Sequence, residues 1–366
     1  MPYNPKNPSF GPFPGITQSS LDPNYRPAEV QQFNLNVQHR FGADLFAEVA
    51  YVGGVAHHLY DSRELNAAVY APGATEACNP IPPATIDVNC AQSRRPISPQ
   101  YYGSIPGIFS DGNSNYNSLQ VDVQKRFSKS YAIQAAYTWE KSIDTRSQSL
   151  IGSGPQNPND WEEGERGLSD FNVGQILALN GLWELPTLKG KGVLTAVAGG
   201  WQLNGIVRYS SGIPFSVLTG QDNALIGYSR TSSGQERANV IGNPKLSMNR
   251  SRSAIAAEYF NTAAYAQPAP GQFGTSSRNS MVGPGSFQND ISVKKKIPVL
   301  PEGKGGFEFR ADIFNLINWT NLGALDNSGQ PNNNGQPVNN MSSQAFGKIT
   351  SAGDPRIVQF ALRFDF

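Results

Sequence analysis

The chain closes on RIVQFALRFDF, and in this stretch apolar and polar positions alternate strictly. Val358, Phe360, Leu362, Phe364 and Phe366 share one face of an extended strand. Gln359, Ala361, Arg363 and Asp365 share the other, because successive side chains point to opposite sides. The same period of two recurs upstream. GFEFRADIFNLI sets Phe307, Phe309, Ala311 and Ile313 against Glu308, Arg310 and Asp312, and WQLNGIVRYS sets Trp201, Leu203, Val207 and Tyr209 against Gln202, Asn204 and Arg208. YAIQAAYTWEKS sets Ile133, Ala135, Tyr137 and Trp139 against Gln134, Thr138 and Glu140. With VQQFNLNVQHRF, DLFAEVAYVG, SLQVDVQKRF, ILALNGLWEL and DISVKKKI, the pattern predicts nine strands, or ten if one hides in 99–110 or 192–199.

The predicted connections alternate between short and long. Gly42-Ala43, Ser128–Ser130, Pro186–Gly192 and Pro298–Lys304 are short, whereas Gly54–Asn115, Ile143–Asp170, Gly212–Gly285 and Asn318–Pro355 are long. A β-sandwich shows the same local alternation of side chains, but it has no reason to sort its loops by edge. A transmembrane β-barrel does, with short turns on one side and long extracellular loops on the other. Tyr131 and Trp139 share a face eight residues apart, as do Trp201 and Tyr209. At ~3.3 Å per residue and a tilt of ~40° that spacing rises roughly 20 Å, close to the ~25 Å apolar band bordered by aromatic girdles. The expected fold class is all-β, an antiparallel transmembrane β-barrel segment.

Composition narrows the function. Charged residues make up only 16% of 366 and the net charge is +1, so no basic field points to nucleic acid. Gly 37 and Pro 27 fit turns and long loops. No apolar run reaches the ~20 residues of a membrane helix, which does not bear on strands of ~10 alternating residues. The two cysteines, Cys78 and Cys90, lie close together in a Pro/Asn-rich stretch and read as a loop disulfide in an oxidising compartment, or as two unpaired thiols.

Parity adds an expectation about completeness. If the last strand ends in the periplasm, nine strands make the first one run downward from the outside, whereas single-chain bacterial barrels have even counts. The opening MPYNPKNPSFGPFPG lacks the basic region and apolar core of a secretory signal. Residues 1–366 are therefore expected to be the carboxy-terminal part of a larger barrel, without plug or leader.

Catalytic chemistry is weakly represented, and no enzyme activity, cofactor or metal is expected. The histidines are His39, His57 and His58, and neighbours on a strand point apart, which makes joint metal ligation by His57 and His58 awkward. Glu162, Glu163 and Glu165 beside Trp161 read as a solvated loop face. Gly152-Ser153-Gly154 and Gly283-Pro284-Gly285 lack the strand–helix context of a phosphate-binding turn. Arg208, Glu308, Arg310, Asp312 and Arg363 are expected to face a polar lumen, since Arg or Lys facing lipid costs ~2–4 kcal/mol at the midplane. Tyr101, Tyr102, Trp161 and Tyr228 are candidate ligand contacts in the loops, suited to stacking on a sugar or another planar ligand. The Gly/Ser/Asn-rich third long loop is expected to be mobile unless a partner orders it.

Several segments carry a family resemblance: VQQFNLNVQHRFGADLFAEVAYVGGVAHHL, RGLSDFNVGQILALNGLWELP, YFNTAAYAQPAPGQFGTSSRNSMVGPG and FGKITSAGDPRIVQFALRFDF. From about Tyr25 to Phe366 the chain resembles TonB-dependent outer-membrane receptors, most closely the Oar-like, acidobacterial type with a carboxypeptidase-regulatory-like domain. The resemblance implies a 22-stranded barrel closed by a plug and energised through TonB in the outer membrane of a Gram-negative bacterium, of which this chain holds about nine or ten strands. It implies uptake of a large nutrient, such as a glycan or oligomer, through contacts with the plug, TonB and an extracellular ligand. Phe360, Leu362, Phe364 and Phe366 would then be the terminal signal read by the barrel-assembly machinery, with outer-membrane lipid around the wall. Since plug and TonB-contacting segments are not among these residues, the alternative is a surface protein that displays binding loops without transport.

Overall fold

The computed structural model describes residues 19–75, 89–99, 101–147, 154–162, 164–186, 197–227, 236–298, 305–323 and 336–365. Among these, nine long strands form one antiparallel meander in strict chain order. They are β1 (Glu29–Phe41), β2 (Leu45–Glu64), β3 (Pro106–Ser128), β4 (Tyr131–Asp144), β5 (Gln175–Glu184), β6 (Trp201–Ser210), β7 (Ser286–Pro298), β8 (Gly306–Phe314) and β9 (Ile357–Asp365). The all-β, antiparallel class expected from alternation holds, and each predicted strand is present. No helix among the described residues is long and apolar enough to cross a membrane, which says nothing of crossing by strands.

Register shows why the sheet has two unlike faces. Val358, Ile313, Ile291, Gly205, Gly181, Ile133, Lys125, Leu45 and Phe41 lie directly opposite one another in a row across all nine strands. The next row on that face runs Phe360, Ala311, Val293, Leu203, Trp183, Tyr131. A polar row on the opposite face runs Ala361, Arg310, Lys294, Gln202, Glu184. A slip of one residue in any strand would mix the rows. The lysines on the apolar face lie near the short-turn edge with their ammonium groups satisfied. Lys125 Nζ donates to Ser128 Oγ at 2.6 Å and lies 4.2 Å from the Tyr131 ring centre, and Lys295 Nζ donates to Gly199 O at 2.6 Å.

The two hairpin turns seen in full are tight. Gly42 (φ 66°) begins the β1–β2 turn, and Lys129 (φ 51°) and Ser130 (φ 71°) form the two-residue β3–β4 turn. Two successive positive φ values are the geometry that matches strand twist in a two-residue hairpin. The predicted short connections 186–192 and 298–304 lie largely outside the described residues.

The first long loop is shorter than predicted, because β2 and β3 keep pairing well past the end of β4. Ser114 is the last residue of β3 paired with β4, so Pro106–Asn113 projects roughly 26 Å further at ~3.3 Å per residue. Register shifts around Leu59 and the left-handed His58 (φ 55°) mark where the hairpin bends. On the side of β3 vacated by β4, Ser20–Leu21 adds a short parallel strand at Gly107 and Ile108. The extra tenth strand considered for 99–110 is in fact this extension of β3. β1 and β9 stand at the two ends of the strand order, unpaired with each other among the described residues.

Candidate functional site

All four long connections leave the same edge of the meander, and there they fold into one packed layer. Its apolar centre is Phe260, fully buried, with ring centres of Phe346, Tyr265 and Phe215 at 5.3, 5.7 and 5.9 Å. Val217, Ile255, Met281, Leu322 and Ile349 are among the other members of the cluster, which draws on the third and fourth loops together. The short helix α1 (Arg252–Ala257) is capped by Ser251 Oγ, which accepts from Ala254 N, and it buries Ile255 in this core. Backbone bonds stitch the two loops: Ile349 N to Ala256 O, Leu218 N to Asn339 O and Met341 N to Leu218 O. At Gly274 the chains pass so closely that an added Cβ would sit 1.7 Å from Arg237 O. The described residues of the third loop thus pack against the fourth loop of the same chain. Apolar side chains scattered over 215–281 and 322–349 meet and exclude water from one another.

Charged side chains tie this core to the strand ends. Arg237 Nη1 meets both oxygens of Glu165 at 2.8 and 3.0 Å, its Nη2 donates to Gly164 O, and its Nε donates to Ser276 O. Both partners are buried. Arg278 binds the Asp144 carboxylate at the end of β4 and donates to Glu165 O at 2.7 Å. Arg146 Nη1 reaches Asp61 of β2 at 2.7 Å, and Arg63 reaches Asp111 of β3 at 2.8 Å. Among these groups lies a polar cleft of about 90 Å³ lined by Asp61, Arg146, Glu165, Asp170 and Arg278, among others, with room for a few water molecules. The reading of Glu165 as solvated is overturned: its charge is buried against Arg237, which lies 72 residues away.

The first loop joins the third through adjacent arginines. Arg94 donates to Leu225 O at 2.6 Å, and Arg95 donates to Gly227 O at 3.2 Å while facing Glu64 at 3.7 Å. Burial draws both guanidinium groups below their ordinary range. Beside them lies a carboxyl pair. Glu236 accepts from Asn223 N at 2.7 Å, and Asp222 accepts from Gly227 N at 2.7 Å. Burial first, and Asp222 next, push the Glu236 carboxyl up to about 8. The folded loop thus keeps a proton that the unfolded chain releases near 4.5. The stability this lends is full below about 4.5, falls as pH rises, and is gone above about 8. Amide-exchange protection at Asn223 and Ala224 is accordingly expected to drop between pH 5 and 8 beyond the intrinsic rate change. In Glu236→Gln it should stay level, and parallel profiles for the two proteins would contradict this assignment.

One apolar face, one polar face and a loop layer on a single edge are the parts of a barrel wall, and comparison of the sequence decides the family. A family model described as an outer membrane beta barrel domain matches residues 1–359. The chain belongs to this outer membrane β-barrel family. Its place is the cell outer membrane, and its apolar face meets lipid. No curated protein matches the chain. Among solved structures it is similar to the outer membrane transporter YddB from Escherichia coli, with 10% identity, TM-score 0.38, and coverage of 83% of this chain and 31% of that one. The ferripyoverdine receptor of Pseudomonas aeruginosa shares 13% identity at TM-score 0.38, covering 93% and 28%. The FrpB iron transporter from Neisseria meningitidis shares 10% at 0.39, covering 95% and 33%. The chain thus spans about a third of the length of these proteins.

In this outer membrane barrel chain the candidate residues separate by environment. Tyr101 is exposed in the first loop, while Tyr102 is half-buried and its carbonyl accepts from Gln92 Nε2. Trp161 is half-buried with the Arg63 guanidinium 4.6 Å from its ring centre, so it joins the second loop to β2. Tyr228, Cys78, Glu163 and Phe366 lie outside the described residues. Cys90 is buried and disulfide-bonded. His58 takes the left-handed conformation at the β2 bend and His57 Nδ1 lies 2.9 Å from Asn113 Oδ1. No group of three or more metal-ligating side chains occurs among the described residues. On the polar face Glu308 pairs with Lys294 of the neighbouring strand at 3.0 Å, whereas Arg310–Asp312 and Arg363–Asp365 pair along their own strands at 2.8 and 2.6 Å. Arg208 lies opposite Gln288 on the same face. Phe360 stacks on Phe309 at 6.2 Å and Phe364 meets Phe307 at 4.9 Å, both on the apolar face with Leu362. The arginines that organise the loop layer, Arg237 and Arg278, escape sequence reasoning. Their only local signal is a Gly/Ser/Asn-rich setting, in which Arg278 is a lone charge and Arg237 follows directly on Glu236.

Proposed function

We propose that this chain supplies the carboxy-terminal part of the wall of a TonB-dependent outer-membrane receptor of the Oar-like type, which takes up a nutrient too large for porins. The observation that carries the reading is the meander of the described residues, which is open and odd-numbered. In nine antiparallel strands β1 and β9 run the same way, so closing the sheet on itself would require a parallel pair. An odd number of further antiparallel strands, from a longer chain, closes the wall instead. In this reading the short turns face the periplasm and the loop layer faces outward. Cys78 is the disulfide partner of Cys90, and Tyr101, Tyr102, Trp161 and Tyr228 serve as contacts for an arriving ligand. Arg208, Glu308, Arg310, Asp312 and Arg363 line the lumen beside a plug that TonB displaces, and the closing aromatic residues are read by the assembly machinery. No enzymatic step is assigned.

The packed loop layer supports a cap over the passage, since its buried ion pairs hold the second and third loops to each other and to the ends of β2 and β4. The test is uptake of fluorescein-labelled oligosaccharides of increasing length by cells expressing the complete gene product. Uptake above the porin size limit is expected with functional TonB and should vanish when TonB is deleted. Uptake that persists without TonB would refute the mechanism.

A further inference from the structure

The apolar face carries a groove of about 650 Å³ near the short-turn edge, floored by Gly181 and Gly205. Its size falls within the ~300–1,000 Å³ range of clefts that hold small ligands. The two glycines lie directly opposite each other in β5 and β6, flanked in the same row by Ile133 and Ile291. Tyr131, Trp183 and Leu203 form one wall, and Lys129 of the β3–β4 turn stands at the end.

Three residues of this groove are poor choices for the strands that carry them. A glycine inside a strand weakens it, and it is usually explained by a positive φ, a bulge or a close approach. None of these applies here: neither glycine has a positive φ, and the nearest atoms to an added Cβ lie at 3.9 Å at both positions. Lys129 sits at φ 51° in a two-residue turn, where asparagine or glycine is favoured. Local rules broken together at one place mark a site with another purpose.

We propose that this groove is a built site for one anionic phospholipid, with an acyl chain lying on Gly181 and Gly205 and the headgroup phosphate meeting Lys129. The glycines lower the floor by the depth of a side chain, so the acyl chain gains contact along the strands and against Trp183, Tyr131 and Ile133. Trp183 and Ile133 are each 49% exposed, so both offer surface to it. Lys129 is exposed and pairs with no carboxylate among the described residues, leaving its ammonium group to a phosphate. Phospholipid as the source rests on the proposed orientation, with the short turns on the periplasmic side.

The test uses the complete gene product purified from outer membranes and placed in vesicles of phosphatidylethanolamine and phosphatidylglycerol. A phosphatidylglycerol with a photoactivatable acyl chain is then cross-linked and the labelled peptides mapped. Labelling is expected to concentrate at Tyr131–Ile133, Gly181–Trp183 and Leu203–Gly205. Gly181→Val with Gly205→Val should abolish that focus while labelling at Leu35 and Val37 of β1 persists, and heat-modifiable migration checks that the variant still folds. Lys129→Gln should lower the preference for phosphatidylglycerol over phosphatidylethanolamine about fivefold, the effect of one basic group at a membrane surface. Uniform labelling of the apolar face, or a focus unmoved by the valines, overturns the site. Cross-links between two copies through the groove overturn the lipid in favour of self-association. Capture of lipid A in place of phosphatidylglycerol overturns the phospholipid and the orientation, whereas TonB-independent uptake would leave the site standing.

Discussion

Replacing Arg237 with alanine is expected to cost the loop layer about 3–5 kcal/mol, because it strands a buried carboxylate. In the intact protein the guanidinium meets both oxygens of Glu165 and the carbonyls of Gly164 and Ser276, so each of its nitrogens is engaged. Without it, Glu165 Oε1 keeps only the backbone N–H of Gln156, at 3.1 Å, among the described residues. Lysine is not a substitute, since an ammonium group cannot reproduce the forked geometry. The strand ladder does not depend on this contact, so heat-modifiable migration should persist in Arg237→Ala. The loops should meanwhile become cleavable by external protease and lose amide protection at Ala238 and Ser276. The double replacement Arg237→Met with Glu165→Gln should recover most of the loss, because it removes the uncompensated charge while keeping volume. If Arg237→Ala leaves loop protection unchanged, the ion pair does not hold the layer together.

The second large effect concerns the edges of the sheet. Expressed as these 366 residues alone, the chain is expected to give no heat-modifiable monomer in outer membranes. β1 and β9 end the strand order, and an edge strand directs roughly half its backbone groups outward, where hydrocarbon offers them no partner. Each such group costs several kcal/mol in lipid, and 13 residues of β1 with nine of β9 make the sum prohibitive. Apolar side chains on those edges, with Leu35 67% and Leu362 70% exposed, favour association with other chains instead. Joined to the further strands that the proposed function calls for, the chain should give a folded, heat-modifiable species. A stable monomer from residues 1–366 alone would mean that the edges find each other despite their parallel sense.

The sequence by itself determined the nine strands, their faces and their antiparallel order, since these depend on a period of two and on connection length. Alternation puts Phe360 and Ala311, and Trp183 and Tyr131, on the same face, whereas their direct pairing is set by the register seen in the structure. It could not show that β2 and β3 run on together beyond β4, because Gly107–Asn113 is rich in residues that also make loops. Nor could it place Glu165, whose partner is 72 positions away, or join Arg278 to Asp144 across 134. Those contacts carry no local period; they arise only when the strands have brought four loops to one edge. The groove at Gly181 and Gly205 was hidden for a related reason. Each glycine alone reads as an interruption of a strand, and only the register of β5 against β6 sets them side by side. Local backbone geometry thus decided the wall, whereas long-range packing decided the loop layer and the depression in the lipid-facing surface.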